Sequence, residues 1–210
     1  MANKTICVLG MARSGTSLTS MILNRLGVHF GTEQQLSAAY RFNPKGSWEH
    51  LEIRAINEQI FARFGGTWDK PPKLPRGWQA RRELDDLRAR AAAVVQDDFA
   101  DAPLWGYKCI LTCMTLPFWQ QIISDMRYVI CVRNPLDVAR SLERRDGFPL
   151  EKGLLLWLQY TWSAIQHTDG QAVHFIFSDQ WINDSEGTLR QLAEFLGCLL
   201  YTSPSPRDHG

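Results

Sequence analysis

Hydrophobic and polar positions form two kinds of pattern along this chain. Short apolar runs, and an alternating pattern over 172–177, predict strands, and apolar residues three or four positions apart predict helices. The predicted strands cover residues 5–10, 104–109, 128–132 and 172–177. The predicted helices cover residues 16–27, 49–64, 79–99, 114–125, a segment that begins at 135, 149–168 and 184–196. Because strands and helices alternate, the pattern predicts an α/β protein with a parallel, doubly wound sheet.

Two of the predicted helices carry further expectations. Pro117 falls in the first turn of helix 114–125, where proline is tolerated. The helix over 149–168 is strongly apolar, so Trp157 and Trp162 are expected in the core.

Composition limits the classes of function. The chain has 210 residues, of which 45% are hydrophobic, and this predicts one domain with a real core. With 23 basic and 22 acidic residues, no overall charge favours nucleic acid or an anionic membrane as a partner. We find no signal segment or membrane-length apolar run, so no membrane span and a cytoplasmic location are expected. The oligomeric state stays open.

The end of the chain differs from the rest. Residues 198–210 follow Gly197, a helix end, and have no periodicity. They resemble a translated sequencing adapter. We therefore interpret 1–197 as a single, truncated domain and 198–210 as a tail foreign to the natural protein.

Residues 10–17, Gly-Met-Ala-Arg-Ser-Gly-Thr-Ser, join the first predicted strand to the first predicted helix. Two glycines in this context predict a loop whose N–H groups hold an anion beside the positive end of the helix. An ordinary glycine turn is the alternative. Nucleotide-hydrolysing loops have a lysine after the second glycine, but here Thr16 follows Gly15 and the cation is Arg13. The loop is therefore predicted to bind phosphate or sulfate without the usual ATP–magnesium clamp.

A second motif follows the strand over 128–132. Arg133 stands at the carboxyl end of this strand, where open α/β sheets bind ligands, and Ser141 follows eight residues later. Both can reach one phosphate, and the guanidinium fork of arginine suits phosphate oxygens. The alternative is a helix cap next to a surface arginine.

Together the two motifs resemble the sulfotransferase family that uses 3′-phosphoadenosine 5′-phosphosulfate. Four further segments are similar to a bacterial branch of that family: 43–50 (Asn-Pro-Lys-Gly-Ser-Trp-Glu-His), 65–72 (Gly-Gly-Thr-Trp-Asp-Lys-Pro-Pro), 116–119 (Leu-Pro-Phe-Trp) and 145–148 (Arg-Asp-Gly-Phe). The resemblance covers residues 4–197. It implies a three-layer, P-loop-like sandwich around a central parallel sheet. It also implies sulfuryl transfer from this donor to a hydroxyl or amine.

The resemblance assigns the donor to named residues. The residues implied for the 5′-phosphosulfate are Gly10, Ala12, Arg13, Ser14, Gly15, Thr16 and Ser17. Arg133 and Ser141 are implied for the 3′-phosphate. A sulfuryl group in transfer carries less negative charge than a phosphoryl group, so arginine, lysine and N–H groups can suffice and no metal is expected. The expected acceptor is a small molecule or a carbohydrate.

Catalysis on an acceptor hydroxyl needs a general base. The candidates are Glu33, Glu49, His50 and Glu52, and Glu49 matches the family's pattern best. The alternative for Glu49 is a charge that interacts with the helix dipole.

Arg13 and Lys108 complete the implied catalytic set. Lys108 stands where family members carry Lys-Asp-Pro-Arg, but here Lys-Cys-Ile-Leu follows the strand. The acidic and arginine positions are therefore absent, and the resemblance implies no residue that takes over an acceptor-binding or loop-fixing role of that arginine. A solvated lysine at a strand end is the alternative.

The sequence also has eight tryptophans. Trp48, Trp68, Trp78 and Trp105 fall in the region where an acceptor would bind, and flat aromatic faces suit sugars. Packing within a loop-rich lid is the favoured interpretation.

Two other functions remain open. A P-loop nucleotide or small-molecule kinase would use the same loop, although Thr16 occupies the lysine position. A non-catalytic nucleotide- or anion-binding module would use both motifs without turnover.

Overall fold

A parallel sheet forms the centre of the computed structural model, which describes residues 4–38 and 46–197. Its strands are Lys4–Leu9 (β1), Leu104–Lys108 (β2), Met126–Val132 (β3) and Val173–Phe177 (β4). All neighbours pair in parallel, in the order β2-β1-β3-β4. Val8 pairs with Lys108 and Leu9 pairs with Ile130, so the carboxyl ends of β1, β2 and β3 meet at one edge. The predicted α/β class and parallel sheet are confirmed.

Eight helices surround the sheet within the described ranges. They are Thr16–Arg25 (α1), Leu51–Arg63 (α2), Asp85–Phe99 (α3), Thr112–Trp119 (α4), Pro135–Asp146 (α5), Leu150–His167 (α6), Gln180–Asn183 (α7) and Ser185–Leu196 (α8). Cys7 and Leu9 of β1 belong to a large core with α2 to α6, whereas Ile6 and Val8 belong to a smaller core with α1 and α8. Because side chains alternate along a strand, these cores lie on opposite faces of the sheet, and the fold has three layers.

Two predicted helices have wrong boundaries. The helix predicted over 79–99 begins only at Asp85, because the 3₁₀ turns Trp78–Ala80 and Arg82–Leu84 precede it. The helix predicted over 114–125 is α4, which begins at Thr112 and ends at Trp119, so Pro117 lies inside it and not in its first turn. Proline has no N–H to donate to the carbonyl oxygen of Cys113, four residues earlier. The Nδ1 atom of His167 lies 3.0 Å from that oxygen and can donate in its place.

Helix α6 has more apolar residues than its buried face contains, so some of them are exposed. Trp157 packs against the large core, but Trp162 is 56% exposed, so its predicted burial was wrong. Leu155 and Leu158 are exposed as well. Composition alone does not tell which side of a helix meets the sheet. No described helix has the length and hydropathy needed to cross a membrane.

Some expectations fall outside the described residues. These are the foreign tail, 198–210, and Asn43, Pro44 and Lys45 of the segment similar to the family.

A buried polar network joins α2 to α4. The Asn57 amide donates to the Thr112 hydroxyl (3.1 Å) and to the Ile53 carbonyl (3.0 Å). Its oxygen accepts from the Trp119 indole N–H (2.9 Å) and from the Thr115 hydroxyl. Asn57 is fully buried, so one side chain provides partners for several groups that water does not reach.

Replacing Asn57 with alanine is expected to lower the free energy of unfolding by about 3 kcal/mol, because the indole and hydroxyl groups lose their partner while they stay buried. Urea denaturation measures this loss. Gln59→Ala, at an exposed position of α2, is the matched control and should change stability by less than about 0.5 kcal/mol. Equal effects of the two substitutions would contradict a structural role for the network.

Candidate active site

The loop over 10–17 connects β1 to α1 at the carboxyl edge of the sheet. Gly10 has φ 134°, and a Cβ atom there would lie 2.4 Å from the carbonyl oxygen of Cys131. Gly15 has φ 87° and is the N-cap of α1, whose first turn contains no acidic residue. Glycine is thus required twice, once for space and once for a left-handed turn. The strand–loop–helix arrangement is confirmed, and it brings the positive end of α1 to the sheet edge.

Hydrogen bonds within the loop and to residues outside it hold its backbone in place. The Gly10 N–H donates to Cys113 Sγ (3.2 Å), and the Ser14 N–H donates to the Met11 carbonyl (3.2 Å). The Ser178 hydroxyl donates to the Ser14 carbonyl (2.7 Å). Both backbone groups of Ser14 therefore bond within the protein, and the residue is only 1% exposed. The residues of the loop that line a cavity are Ala12, Arg13, Thr16 and Ser17.

The second motif contacts the loop through Arg13. The Nε–H of Arg13 donates to the Ser141 hydroxyl (3.0 Å), and Arg133 donates to the Arg13 carbonyl (3.2 Å). Arg13 itself has φ 71°, a left-handed conformation that is uncommon for a residue other than glycine. Asn134 caps α5 by accepting the Leu136 N–H (3.0 Å), so the helix-cap interpretation holds as well. The structure therefore brings the two predicted anion motifs into contact.

Lys108 and Glu49 form a buried ion pair beside the loop. Lys108 ends β2 and is 5% exposed, and its Nζ lies 3.0 Å from Glu49 Oε1. Arg54 lies 3.9 Å from the other carboxylate oxygen. The Ser37 N–H donates to the Glu49 carbonyl (2.9 Å), which holds the backbone in place. The interpretation of Lys108 as a solvated strand-end lysine was wrong.

Only Glu49 among the four candidate bases lines the cavity. It precedes α2, and its carboxylate bonds to Lys108. His50 is the N-cap residue of α2, and its Nε2 lies 3.2 Å from Asp98 Oδ2. Burial lowers the pKa of His50, and Asp98 partly opposes this shift. Glu52 and Glu33 are exposed, outside the cavity.

The cavity has a volume of about 480 Å³, within the range of small-molecule sites. Beyond the predicted residues, it is lined by Ser47, Arg54, Glu58, Trp68, Cys109, Ile110, Leu111, Arg145 and Asp146. Trp68 was one of the four tryptophans expected near the acceptor. Arg145 and Asp146 belong to a segment that carried the family resemblance, although no role was assigned to them. No sequence motif marks Arg54 and Glu58 as cavity residues. Their four-residue spacing, which places them on one face of α2, is the only indication.

Three of the four tryptophans expected near the acceptor pack in the cores, which agrees with the interpretation favoured from the sequence. Trp105 is buried and stacks on Phe99 with ring centroids 4.2 Å apart, and Trp78 is also in the large core. Trp48 packs against the smaller core. Of the four, Trp68 alone lines the cavity.

The described cysteines are all buried and form no disulfide. Burial raises the pKa of the Cys109 and Cys113 thiols to about 12. Among residues 4–38 and 46–197, no group of three or more His, Cys, Asp or Glu side chains is arranged to hold a metal ion.

Comparison with known proteins relates the chain to a family and its fold to several solved structures. Residues 5–201 match the model of the sulfotransferase family. No curated protein sequence matches the chain. The fold is similar to the sulfotransferase domain of the curacin biosynthetic pathway, with a TM-score of 0.59 and 16% identity over 95% of this chain and 76% of that one. It is also similar to sulfotransferase STF9 from Mycobacterium avium, with a TM-score of 0.56 and 14% identity over 96% and 66% of the two chains.

A third similar structure holds ligands. It is retinol dehydratase in complex with androsterone and the inactive cofactor PAP, with a TM-score of 0.50 and 14% identity over 95% of this chain and 61% of that one.

Proposed function

The chain belongs to the sulfotransferase family, and we propose that it moves a sulfuryl group from 3′-phosphoadenosine 5′-phosphosulfate to a hydroxyl or amine of a small-molecule or carbohydrate acceptor, without a divalent metal. The observation that carries this proposal is the bond from Arg13 to Ser141, which joins two anion motifs 128 positions apart beside the cavity. The PAP bound to a structurally similar protein supports the same donor.

The donor is assigned to two neighbouring anion sites. The first turn of α1 offers N–H groups that have no acceptor within the helix, and these with Arg13 hold the 5′-phosphosulfate. Arg133 and Ser141 hold the 3′-phosphate. The Ser141 hydroxyl accepts from Arg13, so its own O–H can donate to a phosphate oxygen. Two adjacent anion sites distinguish this donor from a nucleotide without a 3′-phosphate.

The transfer step uses the groups around the buried ion pair. The acceptor oxygen attacks sulfur, Glu49 takes the proton of the acceptor, and the bond from sulfur to the 5′-phosphate oxygen breaks. Arg13 and Lys108 stabilise the charge that develops on the transferring group and on the leaving phosphate. The contact with Lys108 holds Glu49 at the cavity before substrate binds. The product is 3′-phosphoadenosine 5′-phosphate (PAP).

Thermal unfolding with added nucleotide tests the donor. PAP should raise the melting temperature with EDTA present, and ADP should raise it less because it lacks the 3′-phosphate. Equal shifts for the two nucleotides, or a shift that needs magnesium, would overturn the assignment and favour a kinase.

Arg133→Ala is expected to weaken PAP binding by on the order of 1.5–3 kcal/mol, because a charge-assisted contact is lost. The affinity for ADP should change little. Calorimetric titration of both nucleotides measures the difference. Arg140→Ala, at an exposed position of α5, the helix that follows Arg133, is the control and should leave both affinities unchanged. A similar loss for PAP and ADP would place Arg133 away from the 3′-phosphate.

A further inference from the structure

Two pairs of opposite charges, Arg145 with Asp146 and Arg54 with Glu58, line part of the cavity. Arg145 Nε lies 2.8 Å from Asp146 Oδ2, and these side chains are 16% and 21% exposed. Arg54 Nε lies 2.8 Å from Glu58 Oε1, in a more exposed pair. Arg54 and Arg145 therefore each have a carboxylate beside them. These four side chains form a polar wall of the cavity. The wall has little net charge to attract an ionic acceptor, but it is rich in hydrogen-bond donors and acceptors.

Trp68 forms a fixed aromatic part of the same wall. The Arg145 guanidinium lies over its ring, 5.4 Å from the centroid. The Phe148 ring lies 5.6 Å away. The Tyr160 hydroxyl donates to the Trp68 carbonyl (2.7 Å) and ties the loop to α6. Because neighbours hold both the backbone and the ring, a ligand can bind the indole with little loss of conformational entropy.

From this wall we infer that the acceptor is a neutral carbohydrate whose ring packs on Trp68 while its hydroxyls bond to the Arg145 and Asp146 pair. The inference rests on the proposed function. A sugar hydroxyl can accept from a guanidinium N–H and donate to a carboxylate at the same time. The C–H face of the sugar ring suits an aromatic surface. Arg54 and Glu58 offer a second pair of the same kind to further hydroxyls.

An apolar alcohol fits this wall less well. Covering Arg145 and Asp146 with hydrocarbon would remove the remaining water and supply no hydrogen bond, which costs free energy. An anionic acceptor would have to compete with Asp146 for Arg145. A neutral polyol avoids both costs, because it replaces water hydrogen bonds on each partner.

Saturation-transfer NMR on the protein saturated with PAP tests the inference. The probes are the methyl glycosides of glucose, galactose, mannose and N-acetylglucosamine, with methyl glucuronide and androsterone as comparators. At least one neutral glycoside should receive saturation at its ring C–H protons. Trp68→Ala should weaken its binding by about tenfold, the size expected for losing an aromatic contact. Trp68→Phe should restore most of the binding.

Trp162→Ala removes an exposed tryptophan outside the cavity and is the matched control. PAP titration and the melting temperature of each variant separate misfolding from loss of the sugar contact. The inference is overturned if PAP binds but no neutral glycoside does, if androsterone or the glucuronide binds in preference, or if Trp68→Ala and Trp162→Ala behave alike. Failure of PAP itself to bind would instead overturn the proposed function.

Discussion

Replacing Glu49 with glutamine is expected to lower turnover by about 100-fold or more, the usual size for loss of a general base. Glutamine keeps the shape of the side chain and an oxygen that can accept from Lys108, but it cannot take the proton of the acceptor. Donor affinity should stay near the wild-type value. The measurement is sulfate transfer from labelled donor to a pool of acceptors, beside a titration with PAP.

Two controls sharpen the Glu49 result. Glu52→Gln changes a neighbouring carboxylate that is exposed and paired with Arg90, so its turnover should match the wild type. Urea denaturation of Glu49→Gln shows how much stability is lost when Lys108 has no charged partner. Unchanged turnover would move the base to His50, Glu52 or Glu33. A parallel loss of turnover and donor affinity would make Glu49 a structural residue.

The second large effect is expected at Arg13. Arg13→Ala should lower kcat by about 10²–10³-fold, because a cation that stabilises charge in the transition state is lost. Alanine has the same Cβ as arginine, so the cost of the left-handed backbone at this position is unchanged. Steady-state kinetics with a saturating donor concentration measure kcat separately from donor binding.

Arg13→Lys separates charge from geometry. Lysine keeps the positive charge but lacks the Nε–H that donates to Ser141. Partial recovery of kcat would show that charge contributes, and the remaining deficit would report the bond to Ser141. Arg25→Ala, in the last turn of α1, is the control and should have wild-type kinetics. If Arg13→Ala weakened donor binding but left kcat intact, Arg13 would serve binding alone.

The ion pair between Lys108 and Glu49 keeps a carboxylate beside Lys108 although the chain departs from the family's pattern after this lysine. The chain lacks the acidic and arginine positions that follow the lysine in other members, yet Lys108 still has a carboxylate partner at 3.0 Å. That partner comes from the segment before α2, not from the strand end. Residues 109–111, which replace the missing positions, line the cavity with Cys109, Ile110 and Leu111.

Sequence patterns predicted the structure correctly where it depends on neighbouring residues along the chain. Buried parallel strands are apolar on both faces, so β1 and β3 appear as short apolar runs. The edge strand β4 is less buried, with Phe175 and Phe177 exposed. Gly10 and Gly15 mark the loop because their own positions require the absence of a side chain. The predicted helix boundaries were less accurate where a residue far away in the sequence determines them. Pro117 is tolerated inside α4 because His167, fifty residues later, can replace the missing donor.

By itself, the sequence determined the α/β class, the parallel sheet and the strand–loop–helix arrangement of the glycine loop over 10–17. It also marked Arg133 and Ser141 as a second candidate anion motif. Only the tertiary structure decided that Lys108 is buried against Glu49, that Arg13 reaches Ser141, and that Trp68 alone among the candidate tryptophans lines the cavity. It also decided that α6 leaves Trp162 exposed. The reason is physical. The contacts of Lys108 with Glu49 and of Arg13 with Ser141 join residues 59 and 128 positions apart. The packing of loops over the sheet edge determines such contacts, and no periodicity of the chain predicts them.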